Sequence, residues 1–197
     1  MSEIFITSDL HVNHNKDFIY GVRGFANVTE MNEAIVENWN KVVRPEDTVW
    51  NLGDIALSDT EGAIPYLQAL NGTQYWLLGN HDHHGRVRAI CEACPNITVP
   101  RHTYVTKLKY NDVQFYLSHY PTITSNFDFY KPFERHIINL HGHTHQTNNW
   151  LDLTEPFMYH AGLDSHNLAP VNIDIIINDI KQYWEQLKQL RVKEDEQ

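Results

Sequence analysis

Eight side chains able to bind a metal or move a proton stand in five short clusters: Asp9 with His11, Asp54, Asn80 with His81, His119, and His143 with His145. They offer oxygen and imidazole donors and no thiolate, a set that suits Mn, Fe, Zn or Ni without choosing among them. Asp9 and His11 are two residues apart, as are His143 and His145, so on an extended segment each pair points to one side and reaches one ion together. Two such pairs plus Asp54, Asn80 and His119 exceed what a single ion accepts. A carboxylate can bridge two divalent ions, and two ions about 3.5–4 Å apart are the usual apparatus for in-line attack on a phosphate. Any one of the 13 histidines, taken alone, reads as a surface or satisfied core residue. Their ordered clustering reverses that reading.

Each cluster follows an apolar run. Residues 4–8 read as a buried strand delivering Asp9-Leu10-His11, residues 48–52 as a second running into Gly53-Asp54, and residues 74–78 as a third running into Gly79-Asn80-His81-Asp82. Between them, Thr29 is the candidate N-cap of an amphipathic helix carrying Met31, Ile35, Trp39 and Val42 as far as Pro45. Residues 61–70 read as a further helix stopped by Asn71-Gly72. This alternation predicts βαβ units and a parallel sheet, which binds ligands beyond the carboxyl ends of its strands.

In the second half, residues 103–110 and 113–118 flank Asn111-Asp112, a hairpin signal, and further strands are expected at 137–140 and 157–160. Antiparallel pairing is the expectation there. His119 and the run His141-Gly142-His143-Thr144-His145 again follow apolar stretches. Residues 127–133 read as an aromatic loop that packs over the sheet, with base stacking as the lesser alternative. Ile180, Tyr183, Trp184 and Leu187 form an apolar stripe on a terminal helix from about residue 179, read as core, with a homodimer face as the alternative. Whether the chain is a monomer or a homodimer stays open.

The 197 residues are 42% hydrophobic, enough for one core, and no repeat or linker divides 1–197, which is read as a single domain. Against 15 Lys plus Arg stand 25 Asp plus Glu, a formal charge of -10 that argues against non-specific nucleic-acid binding. No apolar run approaches the roughly 18 residues of a membrane span, and the start lacks a basic flank, so a cytoplasmic protein is expected. Cys91 and Cys94 have Cys-Xaa-Xaa-Cys spacing without a second pair, and a zinc or redox role is the weaker reading.

The ordered blocks Asp-Xaa-His, Gly-Asp, Gly-Asn-His-Asp, His and Gly-His-Xaa-His, from Asp9 to His145, resemble the calcineurin-like metallophosphoesterases. The opening from Asp9 to His14, Arg23-Gly24-Phe25, Trp39-Asn40 and Ser118-His119-Tyr120-Pro121 look like a small bacterial and phage branch of that superfamily. The chain has Val12-Asn13 where the branch usually has Phe-Gly, and Tyr120 where many other members carry Gly; neither change removes a ligand.

The resemblance implies a four-layer α/β/β/α sandwich of two mixed β-sheets with the site across one end. It implies that Asp9, His11 and His145 hold a first divalent ion, that Asn80, His119 and His143 hold a second, and that Asp54 bridges them. Mn²⁺ is favoured, with Fe, Ni or Zn as alternatives. A hydroxide between the ions would attack phosphorus, with His81 stabilising the phosphoryl oxygens and protonating the leaving oxygen. Asp82 would fix either the local geometry or the orientation of the imidazole. Asn80 and His81 are also candidates for substrate contact, as are His14 and Arg23, for which a solvated surface position is the other reading. The function expected is a phosphodiesterase acting on a small phosphate ester or nucleotide. A phosphomonoesterase or nucleotide pyrophosphohydrolase and a non-catalytic metal-binding interaction module are the alternatives; a nuclease on long nucleic acid is disfavoured by the net charge.

Overall fold

The structure, a computed structural model, describes residues 2–100, 104–124, 132–149 and 157–195, with side chains as far as residue 189. Residues 127–131 of the expected aromatic loop, and residue 103 of the expected hairpin, lie outside the described residues.

Side chains buried on both faces build the centre of the first sheet. In β1 (Ile4–Thr7), Phe5 and Ile6 are both buried although they point to opposite faces. The parallel strands β2 (Thr48–Asn51) and β3 (Thr73–Trp76) follow in register, Ile6 opposite Trp50 and Trp50 opposite Tyr75. At the edges, Ile97–Thr98 (β4) pairs in parallel with β3, and Val171–Asn172 (β9) pairs antiparallel with β1.

A sheet buried on both faces must be covered on both. On one face, Met31, Ile35 and Trp39 of α2 (Val28–Val42), Leu67 of α3 (Thr60–Gln68) and Ile90 of α4 (His84–Ala93) pack with Phe5, Val49 and Trp76. On the other, Ile6, Leu52 and Leu77 meet Phe115, Ile138 and Tyr159 of a second sheet, together with Ile180 and Trp184 of α5 (Ile173–Asp195). Each such side chain contributes about 1.5–3 kcal/mol on burial. The second sheet runs β5 (Val105–Tyr110), β6 (Val113–Ser118), β7 (Ile137–His141) and β8 (Met158–His160). The result is the expected α/β sandwich of two mixed sheets, with five helices among the described residues, counting the short α1 (Asp17–Tyr20).

Four local readings change. The β5–β6 hairpin is antiparallel as expected, but β7 and β8 pair in parallel. The long connections 119–136 and 142–157 allow the crossovers that parallel strands require. The first long helix is capped by Asn27, not Thr29, because the Asn27 side chain accepts the Glu30 N–H at 3.0 Å. Helix α4 was not foreseen, since His83-His84-Gly85 reads as a turn and Val87 and Ile90 make a short stripe. Helix α5 starts at Ile173, earlier than residue 179 and in the direction the sequence allowed, its first turns carrying the β-branched run Ile175-Ile176-Ile177, which has low helix propensity. No helix of the described residues is long and apolar enough to cross a membrane.

Candidate metal centre

The loops that leave β1 and β2 run side by side. Asp9 N–H donates to the Gly53 carbonyl at 2.9 Å, His11 N–H to Asp54 at 3.0 Å and Val12 N–H to Ile55 at 2.9 Å. Pairing therefore continues past the strands, but the backbone does not stay extended. Asp9, His11, Asp54, His143 and His145 have φ of 58°, 51°, 55°, 70° and 50°. This left-handed region costs an L-residue about 1–3 kcal/mol and persists only where the surroundings over-determine it. Both pairs two residues apart thus converge through left-handed turns, which corrects the expectation of an extended pleat. Gly53 also has positive φ, at 113°, and a Cβ there would strike the Gly79 backbone, so the β2 and β3 loops meet main chain to main chain.

Asp82 fastens that junction. Its Oδ2 accepts Asp54 N–H at 2.7 Å and Gly79 N–H at 2.9 Å, and its Oδ1 accepts Ile55 N–H at 3.2 Å. Of the two tasks expected of Asp82, this is the fixing of local geometry. With both oxygens on backbone amides, it is a positioning residue and is not placed as a catalytic one.

The side chains then face one another in a way hydrogen bonds alone leave unsatisfied. Asp9 Oδ2 accepts His143 N–H at 2.9 Å, while its buried Oδ1 has no hydrogen-bond partner. That oxygen lies 3.9 Å from His11 Nε2 and 3.8 Å from His145 Nε2, and the two imidazole nitrogens are 3.2 Å apart. His145 Nδ1 donates to Asp164 at 2.7 Å, so in the neutral ring its Nε2 carries a lone pair aimed at the cluster. His119 repeats the pattern: Nδ1 donates to the Leu52 carbonyl at 3.1 Å, and Nε2 meets Asn80 Oδ1 at 2.9 Å and Asp54 Oδ2 at 3.5 Å. With the rings neutral, lone pairs would face one another across this cluster, an arrangement that a cation between them would satisfy.

Donors bound to one divalent ion at about 2.0–2.2 Å lie about 3–4 Å from one another. Asp9, His11 and His145 form one group with ligand atoms within 4.8 Å, and Asp9, Asp54 and His119 form another. These residues fit a pair of divalent ions. Burial pushes the Asp9 carboxyl up, whereas Asp54, which burial also opposes, is held down at about 2 by His119 and the His81 amide. Burial, then Arg23, drives His11 well below its ordinary range, which keeps its lone pair free for coordination.

The remaining predicted residues border this cluster. The His143 ring stands 5.0 Å from that of His119, with Tyr120 against both, at 5.2 Å from His119 and 4.7 Å from His143. His81 is half-exposed; its N–H donates to Asp54 Oδ1 at 2.9 Å and its Nε2 lies 4.0 Å from Asp54 Oδ2. His14 is buried, its Nδ1 at 3.2 Å from His11 Nδ1, so it is not a solvated surface residue. Arg23 is not free for phosphate: it donates to the carbonyls of Asp9 at 2.7 Å and Leu10 at 2.9 Å, and to Asp164 at 2.8 Å. It pins the loop that carries Asp9 and His11. Cys94 packs in the core at the end of α4, and burial raises both cysteine thiols, which disfavours thiolate chemistry. Sequence reasoning missed Asp164, which joins Arg23 to His145. The signal was available, since Gly162-Leu163-Asp164 follows an apolar run as the other clusters do.

Comparison with known proteins shows the family to which the chain belongs. The sequence model of the calcineurin-like phosphoesterases matches residues 2–192. The chain is 33% identical over 192 residues to Uncharacterized protein MJ1445 of Methanocaldococcus jannaschii, covering 92% of this chain and 93% of that one. It is 30% identical over 206 residues to the Gene 66 protein of Mycobacterium phage D29, covering 92% and 99%. Its fold is similar to that of the protein of unknown function AQ665 from Aquifex aeolicus, with a TM-score of 0.67 at 19% identity over 90% of this chain and 99% of that one. With most of its length matched by the family's own sequence model, the chain belongs to the calcineurin-like phosphoesterases.

Proposed function

We propose that this chain is a phosphodiesterase working with two divalent ions, Mn²⁺ first among them. The observation that carries this reading is the position of Asp54 Oδ2, which lies 3.5 Å from His119 Nε2 on one side and 3.9 Å from His11 Nε2 on the other. One carboxylate oxygen facing both histidine groups is what a bridging ligand requires. Asp9, His11 and His145 would hold one ion and Asn80, His119 and His143 the other. Bound there, the ions would supply Lewis acidity to the phosphoryl oxygens and a nucleophile drawn from water.

The rest falls to the protein. The carboxylate of Asp82 and the guanidinium of Arg23 hold the two ligand loops in left-handed turns. His81, anchored through its N–H to Asp54 and half-exposed at the mouth of the cluster, is the group that delivers a proton from Nε2 to the leaving oxygen. The diester preference is supported by Arg23, whose guanidinium is engaged by Asp164 and two carbonyls and does not balance the second charge of a phosphomonoester.

Metal-free protein titrated with Mn²⁺ and assayed in parallel on bis-p-nitrophenyl phosphate and p-nitrophenyl phosphate tests this. Faster turnover of the diester, dependent on about two ions per chain, is expected. Equal or faster turnover of the monoester replaces the diester reading with a phosphomonoesterase. No turnover with bound Mn²⁺, Fe²⁺, Ni²⁺ or Zn²⁺ favours the interaction module.

A further inference from the structure

Beside the metal cluster the protein has a cavity of about 670 Å³, within the size range of small-molecule sites. His11, His81 and His145 belong both to the cluster and to the cavity wall. A phosphorus atom held at the cluster therefore sits at the cavity's edge, and a group esterified to it has this space to enter.

Ile19 and Leu168 of the cavity wall pack against the core, but two of its apolar side chains do not. Helix α1 has no buried residue, and Phe18 and Val22, on it and just after it, are 66% and 82% exposed. Neither stabilises the core, and both line the cavity with Ile19, Leu57 and Leu168. The Phe18 ring packs edge-on against His14 at 5.6 Å between centroids, which sets it beside the cluster. Large exposed apolar side chains gathered on one cavity mark a ligand surface.

Charge narrows the occupant. Among the described residues of the wall, Arg23 is the one Lys or Arg, and Asp164 neutralises it with hydrogen bonds of 2.8 and 3.2 Å. A second phosphoryl group or a carboxylate placed here would lack a counter-charge. Thr147 and Asn167 on the same wall add groups that can hydrogen-bond ring heteroatoms.

We infer that this cavity is the specificity pocket, and that it takes an uncharged aromatic or heteroaromatic ester group, of the kind a nucleoside carries, stacked against Phe18. The inference rests on the phosphoester reading of the adjoining metal cluster. It points away from substrates whose cleaved phosphate is linked to a second phosphate.

Equilibrium binding of methyl(phenyl)phosphinate and dimethylphosphinate to the Mn²⁺-loaded protein, measured by calorimetry, separates the two ideas, because both carry the single charge of a phosphodiester and neither has an ester bond to hydrolyse. Methyl(phenyl)phosphinate should bind at least about tenfold tighter, equivalent to about 1.4 kcal/mol. In a Phe18→Ala/Val22→Ser variant that preference should fall to within about twofold while dimethylphosphinate binds unchanged. Equal affinities in the wild type, or a preference that survives the double substitution, would overturn the pocket and leave the metal-centre reading standing. Binding of neither phosphinate to the metal-loaded chain would overturn the phosphoester reading and the pocket with it.

Discussion

Two buried aspartates at opposite ends of the first sheet have opposite surroundings. Asp47 lies just before β2, and its carboxylate is saturated: Oδ1 accepts Glu3 N–H at 2.9 Å, and Oδ2 accepts Arg44 N–H at 2.8 Å and Arg44 Nε–H at 3.2 Å. Asp9 lies just after β1, and its Oδ1 is buried without a hydrogen-bond partner, facing two imidazole nitrogens. Asp47 has the donors a structural carboxylate needs to offset desolvation. Asp9 Oδ1 has no donor within hydrogen-bond reach, and its backbone is left-handed as well. Unsatisfied acceptors and backbone strain at one residue mark a ligand position more sharply than burial does, since both aspartates are fully buried.

The contrast breaks most visibly at the site. Asp54→Asn should lower kcat/KM for a phosphodiester by about 10³-fold or more, because in the proposed centre both ions would depend on that carboxylate. His81→Ala should lower turnover by about 10²–10⁴-fold with metal content unchanged, which metal analysis beside steady-state kinetics would resolve. Unchanged turnover would remove His81 from the reaction. Asp164→Asn, which loosens His145 and Arg23, should weaken binding of the first ion by about 10–100-fold, read from a Mn²⁺ titration.

At the other end of the sheet, Asp47→Asn should leave turnover unchanged and destabilise the fold by about 1.5–3 kcal/mol, since it weakens charge-assisted hydrogen bonds. Thermal melting would show this as a fall of roughly 3–12 °C. Burial opposes ionisation of Asp47, yet the Glu3 and Arg44 amides and the Arg44 guanidinium hold its pKa below the ordinary 3.8. Its contribution is therefore complete above that value and is lost as pH falls through the lower folded pKa, so the variant and wild type should converge in stability in strong acid.

Much of the site was legible because a buried strand announces itself by apolar residues and its end by the polar ones that follow. Asp9, His11, Asp54, Asn80, His81 and His119 all lie just past β1, β2, β3 or β6. What spacing did not reveal was how they converge, because left-handed φ at Asp9 or His145 is set by contacts between loops distant in sequence. Arg23 illustrates the same limit. Its residue type suggests phosphate, whereas its position beneath the β1 loop turns its guanidinium toward carbonyls and Asp164. The parallel pairing of β6, β7 and β8 was also hidden, since a local hairpin signal says nothing about strands that arrive by long crossovers.

If the ligand groups around Asp9 and Asp54 are the two halves of one metal centre, counting ions tests that most directly. Metal-free wild-type protein and its Asp54→Asn variant, each dialysed against Mn²⁺ and analysed for bound metal, should hold about two ions per chain and fewer than two, respectively. Fewer than two ions in the wild type, or two retained tightly by the variant, would contradict the bridging centre.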